Sequence, residues 1–277
     1  MKKSIAEPAF VAVLFCLITF SITAYCQPNI QSTGVRVPVD IKIDGIATEW
    51  GDKLQAYNKA TNIYYTIAND DNKLYLTIKA TDPTIITKIV SGGITFTINA
   101  ADKKEEKTGV AITFPAYDKN DKSLYLLMEN KPAPTKDANK SRMQLDSFRN
   151  VLNSKLADHL KMIGITGTKT ITDNTISVYN EQGIKAAALF DNKINYTYEL
   201  SIPLKYLDVI GIDKFSYNIK LNGKIPTGST MIDIGRQDRI LYKGPDGIMN
   251  SAGSATPENM ILVYPTDFWG EYTLAKK

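Results

Sequence analysis

Apolar and polar residues alternate one by one along most of the chain, a pattern that predicts β-strands with one buried face. Residues 94–98, 110–114 and 215–221 show the pattern most clearly, with an apolar side chain at every second position. Residues 35–43 alternate in the same way but include Pro38. Because proline cannot donate a backbone hydrogen bond, this segment is predicted to be an edge strand.

A β-hairpin is predicted where residues 63–68 and 73–80 flank Asn69-Asp70-Asp71-Asn72, because these residue types tolerate the backbone of tight turns. Further strands are predicted at residues 176–178, 184–190, 194–202 and 272–274. About ten short strands separated by turn signals favour an all-β sandwich or jelly roll. We expect it to form one domain over residues 27–277.

One amphipathic helix is predicted within this β pattern. Apolar side chains recur there at steps of three and four residues, which places them on one helical face; they are Leu145, Phe148, Leu152, Leu156, Leu160 and Ile163. Gly164 and Gly167 provide a stop, so the inserted helix is predicted over about residues 141–164, after a polar loop at 130–140. The helix either caps an open end or edge of the sandwich or forms a lid over a binding cleft.

Residues 243–259 are rich in Gly, Ser, Asn and Pro and show no periodicity. They are predicted to form a long loop just before the last strand. Loops of this length often carry function or are mobile.

The N-terminus has the three parts of a secretory signal peptide: Met1-Lys2-Lys3, an apolar run at residues 10–20 and a polar segment that begins at Gln27. The apolar run is too short to span a membrane. Cleavage is predicted after Cys26, which gives a periplasmic or extracellular protein. A lipoprotein anchored through Cys26 is the alternative, but bulky Tyr25 precedes the cysteine and favours soluble export.

Composition excludes several classes of function. Cys16 and Cys26 are the only cysteines, so the mature chain has no disulfide, no thiolate nucleophile and no cysteine metal ligand. The formal net charge is +4 and no Lys/Arg block exceeds two residues, which argues against nucleic-acid binding. No second apolar run predicts a transmembrane segment. No G-x-S-x-G or phosphate-loop motif is present, which favours a binding protein over an enzyme.

Several motifs resemble those of family 9 carbohydrate-binding modules and their DOMON-like relatives. They occur in the family's order across nearly all of the mature chain and read, in sequence, IDG-IATEW (43–50), LYLTIKATDP (74–83), YELSIPL (198–204), YNIKLN (217–222) and FWGEYTL (268–274). The resemblance implies a β-sandwich that binds a saccharide or a polysaccharide end without cleaving it. Such modules assist separate glycoside hydrolases in polysaccharide breakdown.

The chain departs from this family at the residues that hold the sugar. Family members place one tryptophan after the D-P motif and another before the closing strand. Here residues 84–98 contain no tryptophan and no acid, and residues 254–265 offer only Tyr264 as an aromatic residue. Gly223 stands where an acidic residue commonly follows the N-I-x-x-N strand. A cell-envelope interaction or structural protein that keeps the sandwich without a sugar site is therefore the alternative function.

Candidate ligand-binding residues cluster around the predicted loop at 243–259. Arginine side chains can donate to sugar hydroxyls and aromatic rings can stack on sugar faces. The predicted site comprises Arg236, Arg239, Tyr242, Tyr264 and Trp269. Trp50 lies in a motif position that predicts a core residue instead.

No catalytic residues, metal site or cofactor are predicted. Oxygen atoms of Asn69-Asp70-Asp71 could contribute to a structural Ca²⁺ site, but three contiguous residues form no cage and a hairpin turn is the simpler interpretation. A haem-carrying DOMON relative would need the single histidine, His159, with Met128, Met143 or Met162 as the second ligand.

Overall fold

Three antiparallel β-sheets and three α-helices account for most of the residues that this computed structural model describes, which are 27–51, 53–101, 103–116, 130–225, 229–232 and 239–277. The strands are β1 (Ala56–Asn58), β2 (Ile63–Asn69), β3 (Lys73–Ala80), β4 (Ile94–Asn99), β5 (Val110–Phe114), β6 (Met162–Thr166), β7 (Thr175–Ser177), β8 (Lys185–Phe190), β9 (Tyr196–Pro203), β10 (Lys214–Leu221), β11 (Thr230–Ile232), β12 (Arg239–Lys243), β13 (Met249–Ser254) and β14 (Thr266–Thr273). The helices are α1 (Pro83–Gly92), α2 (Ala138–His159) and α3 (Pro257–Val263). The predicted all-β sandwich with an inserted helix is confirmed.

Two large sheets form the sandwich. One has the strand order β1-β2-β3-β9-β8 and the other the order β14-β10-β4-β5-β6-β7, while β11-β12-β13 form a small third sheet. The predicted hairpin is β2–β3, and the strong alternations at residues 94–98, 110–114 and 215–221 are β4, β5 and β10. Alternate apolar residues of both large sheets meet in one continuous core.

Tyr65 of β2 and Tyr217 of β10 connect the two large sheets through their hydroxyl groups, which lie 2.9 Å apart in the core. Phe268 of β14 packs against both rings, with its ring centroid 5.1 Å from that of Tyr65. Gly270 faces the Tyr217 ring, and a Cβ there would come within 2.4 Å of the tyrosine. The F-W-G motif thus packs a phenylalanine inward, turns Trp269 outward and leaves space for Tyr217.

The segment predicted as an edge strand at residues 35–43 is not a strand. It contributes one isolated parallel bridge, Arg36 to Asn69, and then turns, with Ile41 N–H donating to Pro38 O at 3.3 Å. Val39 is 99% exposed, so the alternation does not correspond to a buried face. The edge of β2 is instead completed by a side chain: the Gln31 amide accepts from Ile67 N–H and donates to Ile67 O, both at 2.8 Å.

The inserted helix is longer at its start and shorter at its end than predicted. Asp137 caps the N-terminus of α2 by accepting from two backbone N–H groups, and the helix ends at His159. The predicted stop at Gly164 is wrong, because residues 162–166 form β6 with Ile163 turned into the core. Apolar residues at positions 160 and 163 fit the end of an amphipathic helix as well as the start of a strand. The spacing of apolar residues alone therefore could not distinguish the two structures.

Helix α2 packs against β8, which is an edge strand of the five-stranded sheet. Leu152 and Leu156 are its buried side chains. The Asn153 amide donates to Phe190 O at 3.1 Å and accepts from Phe190 N–H at 2.8 Å. The sequence left two roles open for this helix, and the structure shows the first: α2 covers an edge of the sandwich.

Residues 243–259 are also more ordered than predicted. They contain the whole of β13, which pairs with β12, and the start of α3. Thr256 caps α3 and Pro257 occupies its first turn. A helix of 7 residues is too short to show a helical periodicity. Helix α1, which the sequence analysis did not predict, begins in the same way at Asp82 and Pro83 of the D-P motif.

Glu199 of β9 holds the N-terminal segment across the outer face of the five-stranded sheet. Its carboxylate accepts from the backbone N–H groups of Asp44 and Gly45 at 3.1 and 2.9 Å. Gly45 has a positive φ of 84°, and a Cβ there would lie 2.8 Å from the backbone of Ala188. The I-D-G motif and the glutamate of the E-x-x-I-P motif therefore form one contact.

No helix within the described ranges is long and apolar enough to cross a membrane.

We expect Leu152→Asp and Leu156→Asp each to lower the free energy of unfolding by about 3 kcal/mol or more, because an unpaired charge would be buried. Chemical denaturation measures the change. Val151→Asp is the matched control, since Val151 lies on the same helix and is 47% exposed. Equal stability of all three variants and the wild type would show that α2 does not stabilise the sandwich.

The free energy of unfolding is also expected to depend on the protonation of the Glu199 carboxyl. Burial raises the pKa of its carboxyl from 4.5 to about 7, and the nearby Asp44 and Glu49 carboxylates add to the effect. The native state therefore retains a proton that the unfolded chain releases. The free energy of unfolding should fall as pH rises from 4.5 to about 7, by about 2–3 kcal/mol.

Glu199→Gln should flatten this part of the pH profile, measured by denaturation at several pH values, while Glu181→Gln at an exposed position should leave it unchanged. A Glu199→Gln profile parallel to that of the wild type would contradict this assignment.

Candidate ligand-binding cleft

A cleft of about 490 Å³ lies on the outer face of the six-stranded sheet. Its floor consists of polar side chains from four neighbouring strands and the residue after β10: Thr95, Thr97, Thr113, Thr166, Lys220 and Asn222. Ile94, Phe96 and Ile98 of β4 face the core, so the intervening threonines must face outward. The alternation of apolar and polar residues along β4 therefore supplies both the core and the floor of the cleft.

Strand register arranges the floor in two rows. Lys220, Thr95 and Thr113 are cross-strand neighbours in one row. Asn218, Thr97, Ala111 and Thr166 follow one another in the next row. Directly paired residues project from the same side of a sheet, so both rows face the cleft side.

A hydrogen-bond chain orients the floor. The Thr95 hydroxyl donates to Asn222 Oδ1 at 3.0 Å and lies 2.8 Å from the Thr113 hydroxyl. Because the single Thr95 proton is used for Asn222, Thr113 must donate to Thr95. The Thr113 oxygen then keeps acceptor capacity for a ligand. Asn222 is itself fixed by donation from Nδ2 to Gly92 O at 3.0 Å.

The charges in the cleft are largely compensated. Lys220 Nζ lies 2.5 Å from Glu106 Oε2, and the neighbouring Lys107 also lines the cleft. Glu106 is the single carboxylate among the described lining residues. Two-carboxylate chemistry of the kind used by most glycosidases therefore has no second partner among those residues.

The small third sheet closes one side of the cleft. Met231 of β11 lines the cleft and pairs directly with Tyr242 of β12, which pairs in turn with Asn250 of β13. These three side chains therefore share one face of that sheet. Ser229 also lines the cleft, and its buried hydroxyl has no hydrogen-bond partner within the described part of the chain.

None of the four predicted site residues that the structure describes lines the cleft. Tyr242 is on the same face as Met231. Trp269 projects from the outer face of β14, where it pairs with Asn218 of the floor row. Arg239 is exposed at the start of β12, and Tyr264 is the half-buried C-cap of α3. Arg236 lies outside the described residues.

The threonine floor was missed by the sequence analysis. Threonine is a common strand residue, and its presence alone indicates no binding. The available signal was positional: Thr95, Thr97 and Thr113 occupy polar positions in two of the three clearest alternations, residues 94–98 and 110–114.

The carboxylates suggested as Ca²⁺ ligands, Asp70 and Asp71, form other contacts. Asp70 Oδ1 accepts from Asn72 and Lys73 N–H, each at 2.7 Å, and Asp71 pairs with Arg36 and Lys277, whose hydrogen bonds lower the Asp71 pKa. The tip at residues 69–72 thus acts as a turn.

The histidine suggested as a haem ligand contacts the backbone of its own helix. His159 Nδ1 lies 2.8 Å from Lys155 O on α2, and Met128 lies outside the described residues. Within the ranges that the structure covers, no group of three or more His, Cys, Asp or Glu could hold a metal ion.

Trp50 ends a short 3-10 turn and is half-buried. Its indole Nε1 is buried, with no partner in the described ranges. Trp50 is not among the buried residues of the hydrophobic core, so its predicted core role stays a prediction.

The fold and cleft define an antiparallel β-sandwich protein with a polar groove on one sheet. No protein-family model, curated protein or solved structure matches the chain. The assignment of function therefore depends on the chemistry of the cleft and on the sequence motifs.

Proposed function

We propose that this chain is a non-catalytic carbohydrate-binding protein whose ligand occupies the cleft on the six-stranded sheet. The observation that carries the proposal is the floor of hydrogen-bonded threonine hydroxyls and the Asn222 amide. Sugar hydroxyls are both donors and acceptors, and a preorganised array of small polar groups is complementary to them.

The position of the cleft supports this proposal. Thr95 and Thr97 belong to residues 84–98, and Pro265 belongs to residues 254–265. These are the two stretches that hold the sugar-binding tryptophans in the family that the motifs resemble. Tyr242 would supply a stacking face from the small sheet in place of those tryptophans.

We further propose that the protein is exported and works beside a separate glycoside hydrolase. The signal-peptide pattern at residues 1–26 motivates the first part. The single carboxylate among the described cleft residues motivates the second, because a module that lacks an acid–base pair needs an enzyme for bond cleavage.

One observation favours the alternative of a cell-envelope interaction or structural protein. None of the described lining residues of the cleft is aromatic. A protein with that role would bind no glycan and would be retained by envelope proteins instead.

Binding is expected to depend on Tyr242 and Thr113. A glycan array on the mature protein would identify a ligand, and calorimetric titration would then compare variants. We expect Tyr242→Ala to weaken binding about tenfold, which corresponds to about 1.4 kcal/mol from lost stacking. Thr113→Val removes one acceptor and should weaken binding about fivefold.

Tyr179→Ala is the matched control, since Tyr179 is 88% exposed and does not line the cleft. Wild-type affinity in both cleft variants would exclude this cleft as the binding site. Absence of binding to every glycan would favour the envelope alternative.

Mature protein is expected to begin at Gln27. Mass analysis of the N-terminus of exported material tests the cleavage position. A chain that begins with acylated Cys26 would establish the lipoprotein alternative.

A further inference from the structure

A pair of tyrosines lies on the outer face of the other sheet, opposite to the cleft. Tyr57 of β1 and Tyr64 of β2 are cross-strand neighbours, and Lys79 of β3 follows Tyr64 in the same row. We call these three residues the tyrosine shelf. Because neighbouring strands are about 4.8 Å apart, the shelf extends roughly 10 Å across the sheet.

The N-terminal segment leaves the shelf accessible while it covers the neighbouring row. The adjacent row contains Thr66, Thr77 and Glu199, which are 0 to 1% exposed. Backbone groups of residues 44, 45 and 55 bind this adjacent row directly. Tyr57, Tyr64 and Lys79 are only half-buried. An accessible aromatic row beside a covered one can contact a ligand.

The two rings form an angled surface. Their centroids are 4.6 Å apart and their planes are inclined by 42°. A flat crystalline polymer surface needs coplanar rings to make contact along its length. Inclined rings can instead pack against successive sugar units that are rotated relative to one another in a single chain.

Polar groups flank the rings on both sides. The Tyr57 hydroxyl donates to Asn62 Oδ1 at 3.1 Å on an exposed turn. On the other side, Lys79 Nζ lies 3.6 Å from Asp191 Oδ2. These groups place hydrogen-bonding atoms beside the aromatic faces, and the lysine and aspartate charges cancel.

We propose that the tyrosine shelf is a second saccharide-binding surface, which takes a single, uncharged polysaccharide chain. Ring stacking supplies the contact and the flanking amide and ion pair supply hydrogen bonds. The shelf and the cleft belong to different sheets, so this proposal does not depend on ligand binding in the cleft.

Affinity gel electrophoresis with soluble mixed-linkage β-glucan, arabinoxylan and galactomannan tests the proposal. The shelf variant is Tyr57→Ala/Tyr64→Ala and the cleft variant is Thr113→Val/Tyr242→Ala. We expect at least one polysaccharide to retard the wild type. The shelf variant should lose at least about fivefold in binding constant, while the cleft variant should keep binding through the shelf.

Tyr57→Phe/Tyr64→Phe preserves the rings and should retain most of the binding, which separates stacking from a loss of folding. Denaturation midpoints of all variants provide the folding control. Retention of binding in 0.5 M sodium chloride is expected for an uncharged ligand.

The shelf proposal would be overturned if the wild type were not retarded or if the shelf variant were retarded as strongly as the wild type. Adsorption to microcrystalline cellulose without binding to any soluble chain would also overturn it. Loss of binding in the cleft variant alone would overturn the shelf and leave the cleft proposal standing. Loss in the shelf variant alone is the expected result, and it leaves the cleft proposal to the calorimetric comparison of Tyr242→Ala and Thr113→Val. Capture of a protein partner by the shelf without glycan binding would also contradict it.

Discussion

The hydroxyl contact between Tyr65 and Tyr217 fixes how the two large sheets face each other. A buried hydroxyl requires a hydrogen-bond partner, and here each tyrosine meets this need from the opposite sheet. Tyr65 also accepts from Gln31 N–H at 2.8 Å, which ties the N-terminal segment to the same point. Once these residues face inward, strand alternation places Thr95 and Thr97 on the outer side. The polar cleft is thus a consequence of the way the core is closed.

The sequence predicted the strands best where alternation coincides with burial. Strands β2, β3, β4, β5 and β10 form where the predicted alternation places every second side chain in the common core. Residues 35–43 show equal alternation but lie at the sheet edge, where Pro38 and a turn end the pairing after one bridge. The alternation within a segment does not show whether a neighbouring strand is available to pair with that segment.

The candidate site was less predictable than the fold. Residue type alone indicated Tyr242 and Trp269, which border the cleft. The threonine floor, in contrast, consists of residues up to 127 positions apart in the chain, as Thr95 and Asn222 are. Its hydrogen-bond chain exists only in the folded register. The tyrosine shelf is similar, because the distance between Tyr57 and Tyr64 depends on how β1 pairs with β2.

Side-chain amides complete two strand edges of this sandwich, through Gln31 at β2 and Asn153 at β8. An unpaired strand edge offers a row of backbone donors and acceptors to which a second molecule can add its own strand. A single amide binds one residue and extends no further, so it ends the ladder without creating a new edge. These two contacts therefore act against polymerisation of the protein, independently of what it binds.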